Sequence, residues 1–134
     1  MRFLGKVVKR DLLFGIYEDA DILFFPSMYD NAPLVVREAA AAGLPALLTE
    51  GSNSAEIVED GVNGFTAEHN ADAMADRIER AYAEGVIRKV GDKARETIPI
   101  GWDEIISRAL TAYRTGSEEG HIEMLRNIFS ETEK

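Results

Sequence analysis

Residues 22–49, ILFFPSMYDNAPLVVREAAAAGLPALLT, constrain the fold more than any other stretch of the chain. An apolar run stops at Pro26, passes through a polar turn and enters an alanine-rich helix. Gly43 ends that helix, Pro45 keeps it from resuming, and a second apolar run begins at once. Both runs are apolar without alternation, which suits strands buried on both faces. Two such runs joined by a helix form a parallel pair, so the expected fold class is α/β, with helices covering a parallel sheet.

The rest of the chain extends this pattern. Phe3-Leu4-Gly5 reads as the end of a strand, residues 11–17 as a short helix, and residues 20–25 as a buried strand. A helix is predicted over 34–42 and strands over 46–49 and 64–67, the last entered through the turn signal Asp60-Gly61-Val62-Asn63-Gly64. Helical spacing then predicts helices over 71–83, 86–96 and 102–113. Thr115-Gly116-Ser117 interrupts, and residues 118–129 place Ile122, Leu125, Ile128 and Phe129 on one stripe.

The 134 residues suit one domain with a modest core. A formal charge of -9 and a pI near 4.7 argue against nucleic acid and against adsorption to anionic membranes. The chain has no cysteine, hence no disulfide or thiol chemistry, which is compatible with a cytoplasmic location. Its longest early apolar run is too short to span a bilayer, so no direct membrane insertion is expected. His69 and His121 lack acidic neighbours at ligand spacing, so no metal site is expected. Ser27 has no glycine-flanked elbow of the hydrolase kind.

In an open parallel sheet, ligands gather beyond the carboxyl ends of the strands. Residues 26–33 form such a loop. Pro33 suits the first helical position, and Asp30 or Asn31 suits the cap. Amides at the helix start favour an anion such as phosphate. Glu38 shares the side of Leu34 by the four-residue spacing. Facing the crevice, it would accept two hydroxyls of a ribose, with Asp30 near a sugar hydroxyl at the mouth. A diphosphate, a ribose and a hexose so arranged describe a nucleotide sugar. On spacing alone, a solvent-facing helix glutamate and a plain cap are the commoner roles for these two acids.

The stretch PSMYDNAPLVVREAAAAGLPALLTEGSNSAEIVEDGVNGF resembles the donor-binding core of retaining glycosyltransferases of family 4, enzymes of the GT-B fold. The matching residues are Pro26-Ser27, Asp30, the pair Glu38-Ala39, Gly43 and Pro45, then Ala55-Glu56 and the glycine turn at 60–65. Upstream, FLGKV and LLFGIYEDADILFFPS fit as well, and Trp102 fits near the end. The resemblance implies a Rossmann-like three-layer sheet, the C-terminal part of a GT-B donor domain, at residues 1–114. Residues 115–134 would be a helical extension.

By the same resemblance, Glu38 binds the donor ribose and Asp30 stands near the sugar, both counted as catalytic. Ser27, Asn31, Ala32, Pro33 and Leu34 complete the binding loop. The donor would be a UDP- or GDP-sugar, bound as substrate with no metal and no permanent cofactor. The parent enzyme would be a cytoplasmic hexosyltransferase, with room for peripheral association with a membrane. Asp30 stands where the family usually has glutamate, and Ala32-Pro33 where it has phenylalanine-glycine, which removes one amide donor.

The family's diphosphate-binding arginine-lysine pair finds no counterpart. Lys6, Lys9 and Arg10 read as surface charges, so the isolated chain is not expected to turn over substrate. In the strand order 3-2-1-4-5-6, Phe3-Leu4-Gly5 would lie roughly 14 Å from the next strand. Either that segment re-pairs directly beside the next strand, or two copies associate to cover the edge; the expected partner is a missing N-terminal acceptor domain or a second copy. The alternative function is a non-catalytic nucleotide-binding or oligomerisation module derived from such an enzyme.

Overall fold

The computed structural model describes residues 3–30 and 33–101, together with 103, 104, 106, 107, 110 and 111. Two compact units are present, Met1–Pro99 and Ile100–Lys134.

The first unit is built on a parallel sheet of β1 (Leu23–Phe25), β2 (Ala46–Thr49) and β3 (Phe65–Ala67), in that spatial order. Leu23 lies opposite Ala46, and Leu47 opposite Phe65. Helices α1 (Arg10–Asp19) and α2 (Leu34–Ala41) flank β1, and α3 (Ala71–Ala83) and α4 (Ile87–Thr97) follow β3. A 3-10 helix, Asn53–Ile57, lies between β2 and β3.

β2 is central, and all four of its residues are buried, which is why its sequence carries no polar alternation. Successive side chains nevertheless serve opposite faces. Leu47 joins Phe65, Met74, Ala81 and Val90 on the α3 face, whereas Ala46 and Leu48 join Val36 on the α2 face. The sheet is thus covered on both sides, and the chain is α/β with a Rossmann-like arrangement. Arg77 of α3 lies 4.6 Å from the centre of the Phe65 ring and pairs with Asp60 at 3.0 Å, fastening α3 to the turn before β3.

The predicted bounds of β2 and α3 match those observed, and the other predicted strands and helices of this unit agree to within three residues. One expectation fails. Phe3-Leu4-Gly5 is not a strand; residues 3–9 belong to no strand, and Phe3 and Leu4 are exposed. Gly5 adopts φ 64, incompatible with extended backbone, and no neighbouring strand offers its amides partners. Direct re-pairing beside β1 therefore does not occur.

In the second unit, Glu104 N–H donates to the Gly101 carbonyl and Thr111 Oγ1 to the Ser107 carbonyl. The described residues within the helix predicted over 102–113 are helical, and residues 118–129, with their apolar stripe, lie outside the described residues. So does the boundary expected between residues 114 and 115.

Candidate functional site

Because the strands are parallel, the loops after β1, β2 and β3 leave the same rim of the sheet. The loop after β1 carries the predicted site. Ser27 and Asp30 are half-buried, Pro33 is buried and Leu34 is 60% exposed. Asn31 and Ala32 lie outside the described residues.

Two details of the helix start differ from expectation. Pro33 is the N-cap of α2 rather than its first helical residue, with φ -67 and ψ 113. The ring fixes only φ, and ψ remains extended. Its carbonyl accepts the Val36 N–H at 3.1 Å, so the helix opens with a tight turn. The cap position falls on Pro33, which has no side-chain acceptor, rather than on Asp30, and Asn31 lies outside the described residues.

Helical geometry decides where Glu38 points. Val36, Ala39 and Ala40 are buried, which turns Leu34 and Glu38 to the flank of α2. There the Glu38 side chain is 30% exposed and faces α1. Arg10 Nη2 lies 3.5 Å from its Oε1. Burial first, then the nearby Glu38 carboxylate, pushes the Tyr17 phenol above its ordinary 10.0. A carboxylate has about four acceptor positions, so the Arg10 contact leaves capacity for a ligand.

Arg10 is a surface charge, as expected, that lies near Glu38. Neither Arg10 nor Tyr17 was identified as a site residue from the sequence. The available signal was their seven-residue spacing, which puts both on one face of α1.

The neighbouring loop after β2 supplies a second polar group on this rim. Ser52 Oγ donates to the Thr49 carbonyl at 2.7 Å and lies 3.3 Å from Ser54 Oγ. Thr49 Oγ1 is 3.2 Å from His69 Nδ1, and Glu56 is exposed. His69 thus meets a hydroxyl; among the described residues no cluster of His, Cys, Asp or Glu suits a metal ion. His121 lies outside the described residues.

An open cavity of about 660 Å³ lies at the opposite rim, where Asp21 precedes β1 and Pro45 precedes β2. Tyr82 donates to Asp21 there at 2.9 Å, and none of Ser27, Asp30, Pro33, Leu34 or Glu38 lines it. Among the described residues, no helix is long and apolar enough to cross a membrane.

A parallel sheet with polar loops gathered at the carboxyl ends of its strands defines an open-sheet α/β ligand-binding class. Residues 1–84 match the family described as glycosyl transferases group 1, and the chain belongs to that family. It is 29% identical over 120 residues to an uncharacterised glycosyltransferase of Methanocaldococcus jannaschii, covering 87% of this chain and 30% of the relative. It is 32% identical over 108 residues to a D-inositol 3-phosphate glycosyltransferase of Nocardiopsis dassonvillei, covering 78% of this chain and 25% of the relative. The chain thus spans less than a third of these relatives' length.

Among solved structures, sucrose-phosphate synthase from Thermosynechococcus elongatus superposes with a TM-score of 0.71 at 26% identity, over 85% of this chain and 29% of that one. The C-terminal domain of a glycosyl transferase group 1 protein from Francisella tularensis shares the fold, with a TM-score of 0.62 at 20% identity. That likeness covers 72% of this chain and 50% of that domain.

Proposed function

We propose that this chain supplies part of the donor pocket of a retaining hexosyltransferase that uses a nucleotide sugar, and that it is the C-terminal part of such an enzyme. Glu38 accepts the ribose hydroxyls. The loop from Asp30 through Asn31, Ala32 and Pro33 to Leu34 meets the phosphates and the sugar, with Ser27 beside it. Asp30, shorter by one methylene than the glutamate common in the family, faces the sugar.

The observation that carries this reading is Glu38 itself. In a member of a glycosyltransferase family, its carboxylate lies 3.5 Å from Arg10 yet remains 30% exposed on the helix that begins at the carboxyl-end rim of the sheet. A carboxylate held in place loses less freedom on binding than a mobile one.

The diphosphate develops negative charge as the sugar leaves, and positive charge must be aimed at it. Arg10 is spent on Glu38 and is mostly exposed. Multiple turnovers therefore require residues contributed by an acceptor domain or by another copy, and no metal enters the reading. Retention of anomeric configuration and the hexose rest on family resemblance.

Titration with UDP and with GDP, for the wild type and Glu38→Ala, tests the reading. Losing a charge-assisted hydrogen bond is expected to weaken the favoured nucleotide roughly ten- to a hundredfold. Equal affinity, or none in either protein, would instead favour a non-catalytic assembly module.

A further inference from the structure

We infer that Tyr29 is the sugar-facing platform of the proposed donor site, its ring set against the apolar face of a bound hexose while Asp30 takes a hydroxyl. The inference rests on the reading of the loop after β1 as the donor-binding loop, and it names a further residue of that site.

Tyr29 and Asp30 are neighbours in this loop, and their burial is the reverse of what folding favours. Tyr29 is 93% exposed, whereas Asp30 is half-buried. Folding by itself draws an aromatic side chain under cover and leaves a carboxylate in water. Cover is close at hand, since Pro33 in the same loop is buried. No other large apolar side chain among the described residues is as exposed, and no other ring packs on this one.

A single exposed aromatic is ordinary on a protein surface. Two further observations set this one apart. It stands at the carboxyl-end rim of a parallel sheet, where ligands gather, in a member of a glycosyltransferase family. Leu34, 60% exposed, follows on the other side of Asp30 in the chain, so exposed apolar residues flank the acid in both directions.

That arrangement suits the chemistry of a sugar. A pyranose carries hydroxyls around its edge and C–H groups on its faces. The hydroxyls need an acceptor, and the C–H faces need a flat apolar surface beside it. Neighbouring α-carbons are about 3.8 Å apart, so one sugar ring can meet both Tyr29 and Asp30. A nucleobase is the competing occupant, because it too presents a flat face to an aromatic. The base adjoins the ribose, however, and the proposed reading puts the ribose at Glu38, inside α2, rather than in the loop before it.

The test is calorimetric titration of the full chain with UDP, UDP-glucose, GDP and GDP-mannose. Because Tyr29 is 93% exposed, Tyr29→Ala is expected to leave the thermal midpoint within a few degrees of the wild type. It is expected to weaken the favoured nucleotide sugar roughly three- to tenfold and the matching free nucleotide by less than about twofold. Tyr29→Phe keeps the ring and is expected to stay within about twofold of the wild type for both.

Equal loss of nucleotide and nucleotide sugar in Tyr29→Ala would give the ring to the base and overturn the sugar platform. Unchanged affinity for every probe in Tyr29→Ala, with loss in Glu38→Ala, overturns this inference and leaves the donor reading standing. The reverse result, loss of nucleotide sugar in Tyr29→Ala with indifference to Glu38→Ala, supports the platform and removes Glu38 as the ribose acceptor. No binding of any probe by the wild type overturns both.

Discussion

The two ends of α2 are finished in opposite ways. At its C-terminal end, Gly43 takes φ 81, its N–H donates to the Ala40 carbonyl at 2.8 Å, and Leu44 N–H reaches back to Ala39 at 2.9 Å. That pair of bonds is a Schellman closure. Arg95 adds a bond to the Ala42 carbonyl at 2.6 Å, and Gly91 of α4 packs against the Gly43 carbonyl. At the other end the cap residue Pro33 has no side-chain acceptor, and Leu34 is 60% exposed. The closed end is bound into the protein by the protein's own groups. The open end lies at the carboxyl-end rim of the sheet, where the proposed donor site would use amide donors that the protein has not already consumed.

The contrast can be broken most forcefully at Gly91. A Cβ there would collide with the Gly43 carbonyl oxygen, which is backbone and cannot rotate aside. Gly91→Ala is expected to destabilise the chain by about 3 kcal/mol, seen as a lower midpoint in urea unfolding.

A middling effect is expected from pH, where α2 meets α1. The Tyr17 phenol is held above 10.0 in the folded chain, so its protonated form favours folding. That contribution is complete below the unfolded value and is lost as pH rises through the folded one. As pH rises through 10 and beyond, the wild type should lose more stability than Tyr17→Phe. Tyr82, raised chiefly by its hydrogen bond to Asp21, acts with the same sign in both proteins and cancels from the difference. An equal loss in both would remove Tyr17 as an alkaline-sensitive restraint on α2.

The smallest effect belongs to the open end. Leu34→Ala is expected to change unfolding free energy by no more than about 0.5 kcal/mol. A loss comparable to that of Gly91→Ala would mean that the two ends are equally fastened.

How far the sequence could be read follows the same division between local and non-local causes. β2 was legible because a strand buried on both faces must be apolar throughout, and the closed end of α2 because Gly43 and Pro45 announce it. The flank on which Glu38 sits followed from its four-residue spacing to Leu34. Its partner did not. Whether Arg10 reaches Glu38 depends on how α1 lies against α2, which no periodicity within either helix encodes. Phe3-Leu4-Gly5 failed for a related reason: an apolar segment becomes a strand only when a neighbour accepts its hydrogen bonds. The 3-10 turn at Asn53–Ile57 was overlooked because a short serine-rich stretch has no clear period.

β1 carries a further consequence for handling the chain. It is an outer strand of the described sheet, three residues long, and Phe24 on it is 52% exposed. A short border strand with one aromatic is a modest template for aggregation, and a formal charge of -9 opposes it at neutral pH. Acidification toward the isoelectric point near 4.7 removes that repulsion while leaving the aromatic in place. Purification and storage well above that point should therefore keep the protein in solution, and precipitation should begin as the buffer approaches it.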